Sequence, residues 1–96
     1  MFGVIATFNV VPDKTREFED LFRELASNVK CNEPGSILYQ LARVQGEATT
    51  YKLLEIYRDK AAFDAHVASA HFRAGTPRVA ALLAEKPQPQ FIEPIA

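Results

Sequence analysis

Two side chains near the middle of this sequence could carry out proton transfer, and the first of them is Glu55. It lies inside the apolar stretch LLEIY at residues 53–57, which has the character of a strand. A carboxylate buried there has its charged form disfavoured by lost hydration, which is how general bases are often prepared for catalysis. The alternative is a partly wet strand position, where the carboxylate pairs with an arginine or a lysine.

The second candidate is His66, at the boundary between the apolar seam and the exposed face of a predicted helix. Histidine suits proton transfer near neutral pH, so a general base, a ligand-orienting group and a plain hydrogen-bonded boundary residue all stay open. His71 projects roughly 140° away on a helix that turns about 100° per residue. Two metal ligands on one helical face need i and i+4 spacing instead. With one cysteine far along the chain, we expect no metal site.

Other familiar catalytic patterns are missing. Cys31 has no CxxC partner, and no serine lies in a nucleophile-elbow motif. Gly35, Gly46 and Gly75 stand alone, so the sequence has no phosphate loop and no dinucleotide fingerprint. An enzyme built on this chain is therefore expected to need no cofactor and to rely on side chains and the reactivity of its substrate.

The elements that must position these residues follow from hydrophobic periodicity and turn signals. In chain order we predict a strand over 2–10, a helix from 13–15 to 31, strands over 36–44 and 50–58, a helix over 60–70 capped by Asp59, a helical stretch through Leu83 interrupted at Gly75 and Pro77, and a strand over 91–95. The KPQPQ segment is expected to separate that last helix from the last strand.

This β-α-β-β-α-β order predicts a ferredoxin-like α+β fold with a four-stranded antiparallel sheet. Helices can cover only one face of such a sheet. With an assumed strand order, we place the following residues on the opposite, open face: Ile5, Thr7, Tyr39, Leu41, Leu53, Glu55, Tyr57 and Phe91. Because so aromatic a surface is rarely left to water, we expect a second copy of the chain, a ligand, or both to cover it.

Composition limits the classes of partner and compartment. The 96 residues suit one domain over 1–96, and 48 % are hydrophobic, which argues against disorder. A net charge of −1 gives no reason to expect nucleic acid, and no apolar run is long enough for membrane insertion. One cysteine and no signal peptide indicate a soluble, cytoplasmic protein. A chain this short is expected to have hardly any room for a deep pocket of its own.

The segment LLEIYRDKAAFDAHVASAHF resembles the signature of the antibiotic biosynthesis monooxygenase (ABM) domain family. That signature is a strand carrying Glu-x-Trp or Glu-x-Tyr, then a helix carrying Ala-His and a second His shortly before an aromatic residue or Met. The matching positions are Glu55, Tyr57, Phe63, His66, His71 and Phe72. The Pro12-Asp13 turn, the Phe-rich helix and the segment EPGSILYQL are similar to the front half of the family.

The resemblance implies a dimeric α+β barrel, a homodimer in which each protomer has a pocket between its sheet and its helices. Family members include monooxygenases that oxidise quinols or phenols with O2 and no cofactor, haem-degrading enzymes, and enzymes that process the phosphorylated autoinducer-2 signal without oxidation. The haem branch uses a Trp on the second helix, and this chain has no Trp. Thr7 is nearer than Asn9 to the Asn of that branch, and Thr76 falls near its haem-ligating His.

The resemblance therefore favours a quinol monooxygenase, with His66 as the base or Glu55 acting through it. Its substrate-binding residues would be Tyr39, Tyr57, His71, Phe72 and Thr7. An isomerase-like enzyme for a small phosphorylated carbonyl compound stays open, and it would need a cationic clamp from Arg43, Arg73 or Arg78. A non-catalytic dimeric binder of small molecules is the third possibility.

Overall fold

Four strands form one antiparallel sheet in a computed structural model that describes residues 1–96. The strands are β1 (Phe2–Asn9), β2 (Ser36–Arg43), β3 (Thr50–Tyr57) and β4 (Gln88–Ile92). Their order across the sheet is β2-β3-β1-β4, and every neighbouring pair is antiparallel. The predicted ferredoxin-like α+β fold is thereby confirmed, with the two most buried strands, β1 and β3, at the centre of the sheet.

Helices cover one face of this sheet. A short 3-10 turn over Pro12–Lys14 leads into α1 (Thr15–Asn32), and the later helices are α2 (Lys60–Ala68) and α3 (Ala70–Ala80). The buried residues of α1 recur every three or four positions and form one apolar stripe against the sheet: Phe18, Leu21, Phe22, Leu25 and Val29. None of these helices combines the length and the apolar character that a membrane crossing requires.

The boundary between α2 and α3 differs from the prediction. Asp59 does cap α2, since its carboxylate accepts a hydrogen bond from the Ala62 N–H at 2.8 Å. The chain turns at Ser69, however, and not at Gly75 and Pro77, which lie inside α3. The Ser69 hydroxyl donates to the His66 carbonyl at 2.6 Å and accepts from the next helix, so one side chain ends α2 and begins α3.

The last strand also begins earlier than predicted, at Gln88 and not at Phe91. It therefore contains Pro89, which the prediction treated as part of a breaking segment. β4 lies at the edge of the sheet and pairs only with β1. Proline is tolerated at such a position because a missing N–H on the outer side of an edge strand breaks no ladder bond.

The assignment of residues to sheet faces was wrong for most of the predicted set. The register places Val4 opposite Glu55 and Ala6 opposite Leu53, and all four of these residues are buried. Residues paired across a ladder share a face. The helix-covered face therefore carries Tyr39, Leu41, Leu53, Glu55, Tyr57 and Phe91.

Only Ile5 and Thr7 of the predicted set lie on the open face. Their neighbours there are mostly aliphatic, with some polar residues: Leu38, Gln40, Lys52, Leu54, Ile56 and Ile92. Leu38 is 38 % exposed and Ile92 is 36 % exposed. The open face is thus apolar, as expected, but aliphatic rather than aromatic.

Candidate active site

A cavity of about 360 Å³ lies between the sheet and the helices. This volume falls within the range of roughly 300–1,000 Å³ that is usual for small-molecule sites. Its walls are mostly apolar and come from all four strands and all three helices. Small residues in the wall, Ala6, Gly75 and Ala80, leave the room that the chain length alone did not lead us to expect.

The polar end of the cavity holds Glu55 from β3 and His66 from α2. The His66 Nε2 atom lies 3.8 Å from Glu55 Oε1, and both side chains are less than a tenth exposed. Burial raises the pKa of Glu55. A hydrogen bond that Tyr57 donates to Oε1 at 2.5 Å and the charge of His66 both act to lower this pKa, but the effect of burial is larger. The two candidates for proton transfer are therefore brought together in one buried corner.

A third polar residue, Glu33, completes this corner, although no sequence pattern identified it as a candidate. Its two carboxylate oxygens lie 2.9 and 2.8 Å from His66 Nδ1, and Oε2 also contacts His71 Nε2. Glu33 ends α1, where its N–H donates to the Val29 carbonyl at 2.9 Å. Nothing local marks it as functional, because its partners are 33 and 38 residues away.

The carboxylate of Glu33 determines where the His66 proton resides. An ionised carboxylate can only accept, so His66 Nδ1 is the donor in this pair. In the neutral imidazole, Nε2 then carries a lone pair and faces Glu55 and the cavity. The arrangement matches a base held in position by an orienting carboxylate.

Three aromatic rings surround the His66 imidazole. The ring centroids of Tyr39, Tyr57 and Phe72 lie 5.7, 5.4 and 5.1 Å from its own. Burial raises the pKa of both tyrosines above the ordinary value, so each phenol keeps its proton at neutral pH. Tyr39 and Phe72 line the cavity, whereas Tyr57 lies behind Glu55 as its hydrogen-bond donor.

Two predicted substrate-binding residues, Tyr57 and Thr7, do not line this cavity, and only Thr7 lies on the other face of the sheet. It is on the open face, where its hydroxyl accepts a hydrogen bond from Lys52 Nζ at 2.6 Å. The predicted shared face of Thr7 and Glu55 was wrong, because the register pairs Thr7 with Lys52 and Val4 with Glu55.

The proposed phosphate clamp is also not at the site. Arg43 contacts Glu19 at 3.4 Å, and Arg78 pairs with Glu24 at 2.6 Å. Neither these two arginines nor Arg73 lines the cavity.

A second, more polar cavity of about 640 Å³ lies on the outer side of the cluster, bordered by Glu33, His71, Ser69 and Arg58. His71 borders both cavities. The donor atoms of Glu33, His66 and His71 all lie within 4.8 Å of one another, a set that could ligate a metal ion.

Residues 1–78 match the family model described as antibiotic biosynthesis monooxygenase. The Bacillus subtilis (strain 168) protein named "Putative monooxygenase YcnE" is 33 % identical over 73 residues, which is 76 % of each chain. A Caulobacter crescentus structure assigned to the same family superposes with a TM-score of 0.94 and 37 % identity, over 99 % of this chain and 90 % of that one. SnoaB of Streptomyces nogalater, a cofactor-independent oxygenase, has the same fold, with a TM-score of 0.83 and 21 % identity over 97 % of this chain and 91 % of its own.

Proposed function

The chain belongs to the antibiotic biosynthesis monooxygenase family, and from this premise we propose that it oxidises a small quinol or phenol with O2 and no cofactor. The observation that carries the proposal is His66, whose Nδ1 is held by Glu33 while Nε2 faces a mostly apolar cavity. Deprotonation of a phenol is the one step that this chemistry requires of the protein, because an electron-rich phenolate reduces O2 by itself.

The proposed reaction begins when the substrate hydroxyl donates its proton to His66 Nε2. Glu33 stabilises the imidazolium that forms, as an orienting carboxylate does in other histidine-based sites. Glu55 lies 3.8 Å from the same nitrogen and can pass a proton onward through a water molecule or a substrate hydroxyl. The Tyr39 phenol, which stays protonated, is available to donate to the substrate.

The oxidation then proceeds on the substrate. The phenolate gives one electron to O2, and the phenoxyl radical and superoxide recombine to form a C–O bond at a ring carbon. The resulting peroxide takes a proton from the imidazolium. Loss of the hydrogen on that carbon as a proton, with cleavage of the O–O bond, gives a quinone and one water. The apolar walls exclude bulk water from these intermediates.

The geometry gives less support to the isomerase-like alternative. A phosphorylated substrate needs a cation, and no arginine or lysine lines the cavity beside His66 and Glu55. A non-catalytic binder is the other alternative, and it would not account for a buried His66 that Glu33 orients toward the cavity.

We also propose a homodimer, in which a second copy covers the open face of the sheet. The support is the aliphatic surface around Leu54 and Ile56, flanked by the partly exposed Leu38 and Ile92. Contiguous apolar surfaces of this kind mark protein–protein contacts more often than free solvent faces.

The test is O2 consumption and quinone formation with a panel of reduced quinones and phenols. His66→Gln should lower turnover by at least about 100-fold, the usual minimum for loss of a general base. Glu24→Gln, at an exposed ion pair, is the matched control and should keep the wild-type rate. Full activity of His66→Gln would contradict the proposal, and so would a wild-type protein that binds members of the panel and consumes no O2.

A further inference from the structure

We propose that Glu33, His66 and His71 form a binding site for one divalent transition-metal ion of the zinc type. The site stands on geometry alone and is independent of the monooxygenase proposal. The three donor atoms lie within 4.8 Å of one another, and the side chains are only 10, 4 and 16 % exposed. Each donor comes from a different place, the end of α1, α2 and α3, so the fold itself assembles the set.

The chemistry of the donors selects the metal. Two imidazole nitrogens and one carboxylate oxygen, with positions left open, are typical of zinc sites that also hold water. Imidazole ligands favour zinc, copper, nickel and iron over magnesium and calcium, which prefer oxygen. We expected no metal site from the sequence, because the spacing of the two histidines does not suit one helical face and the single cysteine is distant. The structure differs from that assumption, because Ser69 separates the helices of His66 and His71 and Glu33 lies in contact with both side chains.

The Glu33 and His66 side chains are at hydrogen-bond distance from each other, which is slightly closer than two ligands of one zinc ion. Ligands of a tetrahedral zinc ion lie ~3.3 Å apart when the metal–ligand bonds are about 2.0–2.1 Å. His66 Nδ1 and the Glu33 carboxylate are 2.8 Å apart. This pair must therefore separate by about 0.5 Å, which is within the range of a side-chain adjustment. The two histidine nitrogens lie within 4.8 Å of each other.

The surroundings supply an access route and a second layer of contacts. The outer cavity of about 640 Å³ reaches Glu33 and His71 and has room for a water ligand. The one cation in its wall, Arg58, is paired with Asp59 at 3.6 Å. On the inner side, His66 Nε2 lies 3.8 Å from the Glu55 carboxylate, and a carboxylate behind a metal-bound histidine is a common arrangement.

Binding would change the site's chemistry. A metal on His66 Nδ1 takes the place of the proton there, so the proton of the neutral imidazole moves to Nε2. That nitrogen then donates and no longer accepts. If the proposed monooxygenase activity holds, Zn²⁺ should inhibit it. The binding measurement itself needs no substrate, so failure of one proposal is distinguishable from failure of the other.

The experiment uses untagged, chelator-treated protein and the metal ion alone. Calorimetric titration with Zn²⁺ near neutral pH should show one ion per chain, and Co²⁺ should give the visible absorption of a four- or five-coordinate site. A rise in Tm with Zn²⁺ should accompany binding, because a ligand that prefers the folded state stabilises it.

Matched variants identify the ligands. His71→Gln, at the most exposed of the three ligands, should weaken Zn²⁺ binding by at least about 10-fold. Glu33→Gln should weaken it similarly and serves as the second variant if the first does not fold. Cys31→Ser is the control, because this exposed thiol near the end of α1 could bind zinc by itself. No Zn²⁺ binding tighter than about 100 µM would overturn the proposal. Wild-type affinity in both ligand variants, or loss of binding in Cys31→Ser, would also overturn it.

Discussion

Replacing Glu33 with alanine should destabilise the fold far more than replacing Glu24 with alanine. Both carboxylates connect α1, or its end, to α3, through His71 and Arg78 respectively. They differ in burial, since the Glu33 side chain is 10 % exposed and the Glu24 side chain is 52 % exposed. The pair therefore separates the effect of burial from that of the ion pair itself.

The magnitude follows from the partners that lose their acceptor. In Glu33→Ala the His66 Nδ1 atom, on a side chain only 4 % exposed, has no hydrogen-bond partner. A buried polar group left in this way costs ~1–3 kcal/mol. His71 is 16 % exposed and regains some water, so the total loss should be about 2–4 kcal/mol. For a chain of this size that corresponds to a Tm lower by roughly 10–25 °C.

The measurement is urea unfolding followed by far-UV circular dichroism, near neutral pH and with a chelator present so that no metal contributes. Glu33→Gln keeps one acceptor oxygen and should lie between wild type and Glu33→Ala. Glu24→Ala should stay close to wild type, because exposed ion pairs contribute little. The reasoning is refuted if the two alanine variants lose the same stability, or if Glu33→Ala loses less than about 0.5 kcal/mol.

Three further predictions address the rest of the molecule. Burial raises the pKa of all three tyrosines above the ordinary 10.0, so at that pH the folded protein should show less tyrosinate absorbance than the chain in guanidinium. The tyrosines of the unfolded chain lose their protons at lower pH than those of the folded protein, so stability should fall as the pH rises above 10.0. Half-ionised tyrosines in the folded protein at pH 10.0 would contradict this prediction. Gly35→Ala places a new Cβ 2.6 Å from Ala62 Cβ and should cost ~1–3 kcal/mol. In a double-mutant cycle, combination with Ala62→Gly should recover part of that loss, and a neutral single variant would be evidence against the close contact. In light scattering, wild type should be a dimer and Leu54→Lys a 10.7 kDa monomer, whereas a monomeric wild type would contradict the proposed homodimer.

Local patterns in the sequence determined the types and the order of the elements. Alternation in β1 and β3 and the three-to-four spacing in α1 depend on neighbours within a few residues, so the strands, the helix and the Asp59 cap were predictable. Glu55 and His66 were identifiable as candidates as well, because a carboxylate is rarely buried in an apolar strand and histidine is the side chain best suited to proton transfer near neutral pH.

Only the tertiary structure decided which groups meet. Alternation divides a strand into two faces but does not say which face the helices cover. Thr7 was therefore assigned to the same face as Glu55, although the register pairs Glu55 with Val4. Pro89 is acceptable in β4 because the sheet ends at that strand, a fact that its neighbours in sequence do not encode. Glu33 reaches His66 and His71 only because the end of α1 packs beside the start of α3. Contacts between residues more than 30 positions apart depend on the packing of whole elements. This packing places Glu33, which follows the last residue of α1, between the two histidines of the site.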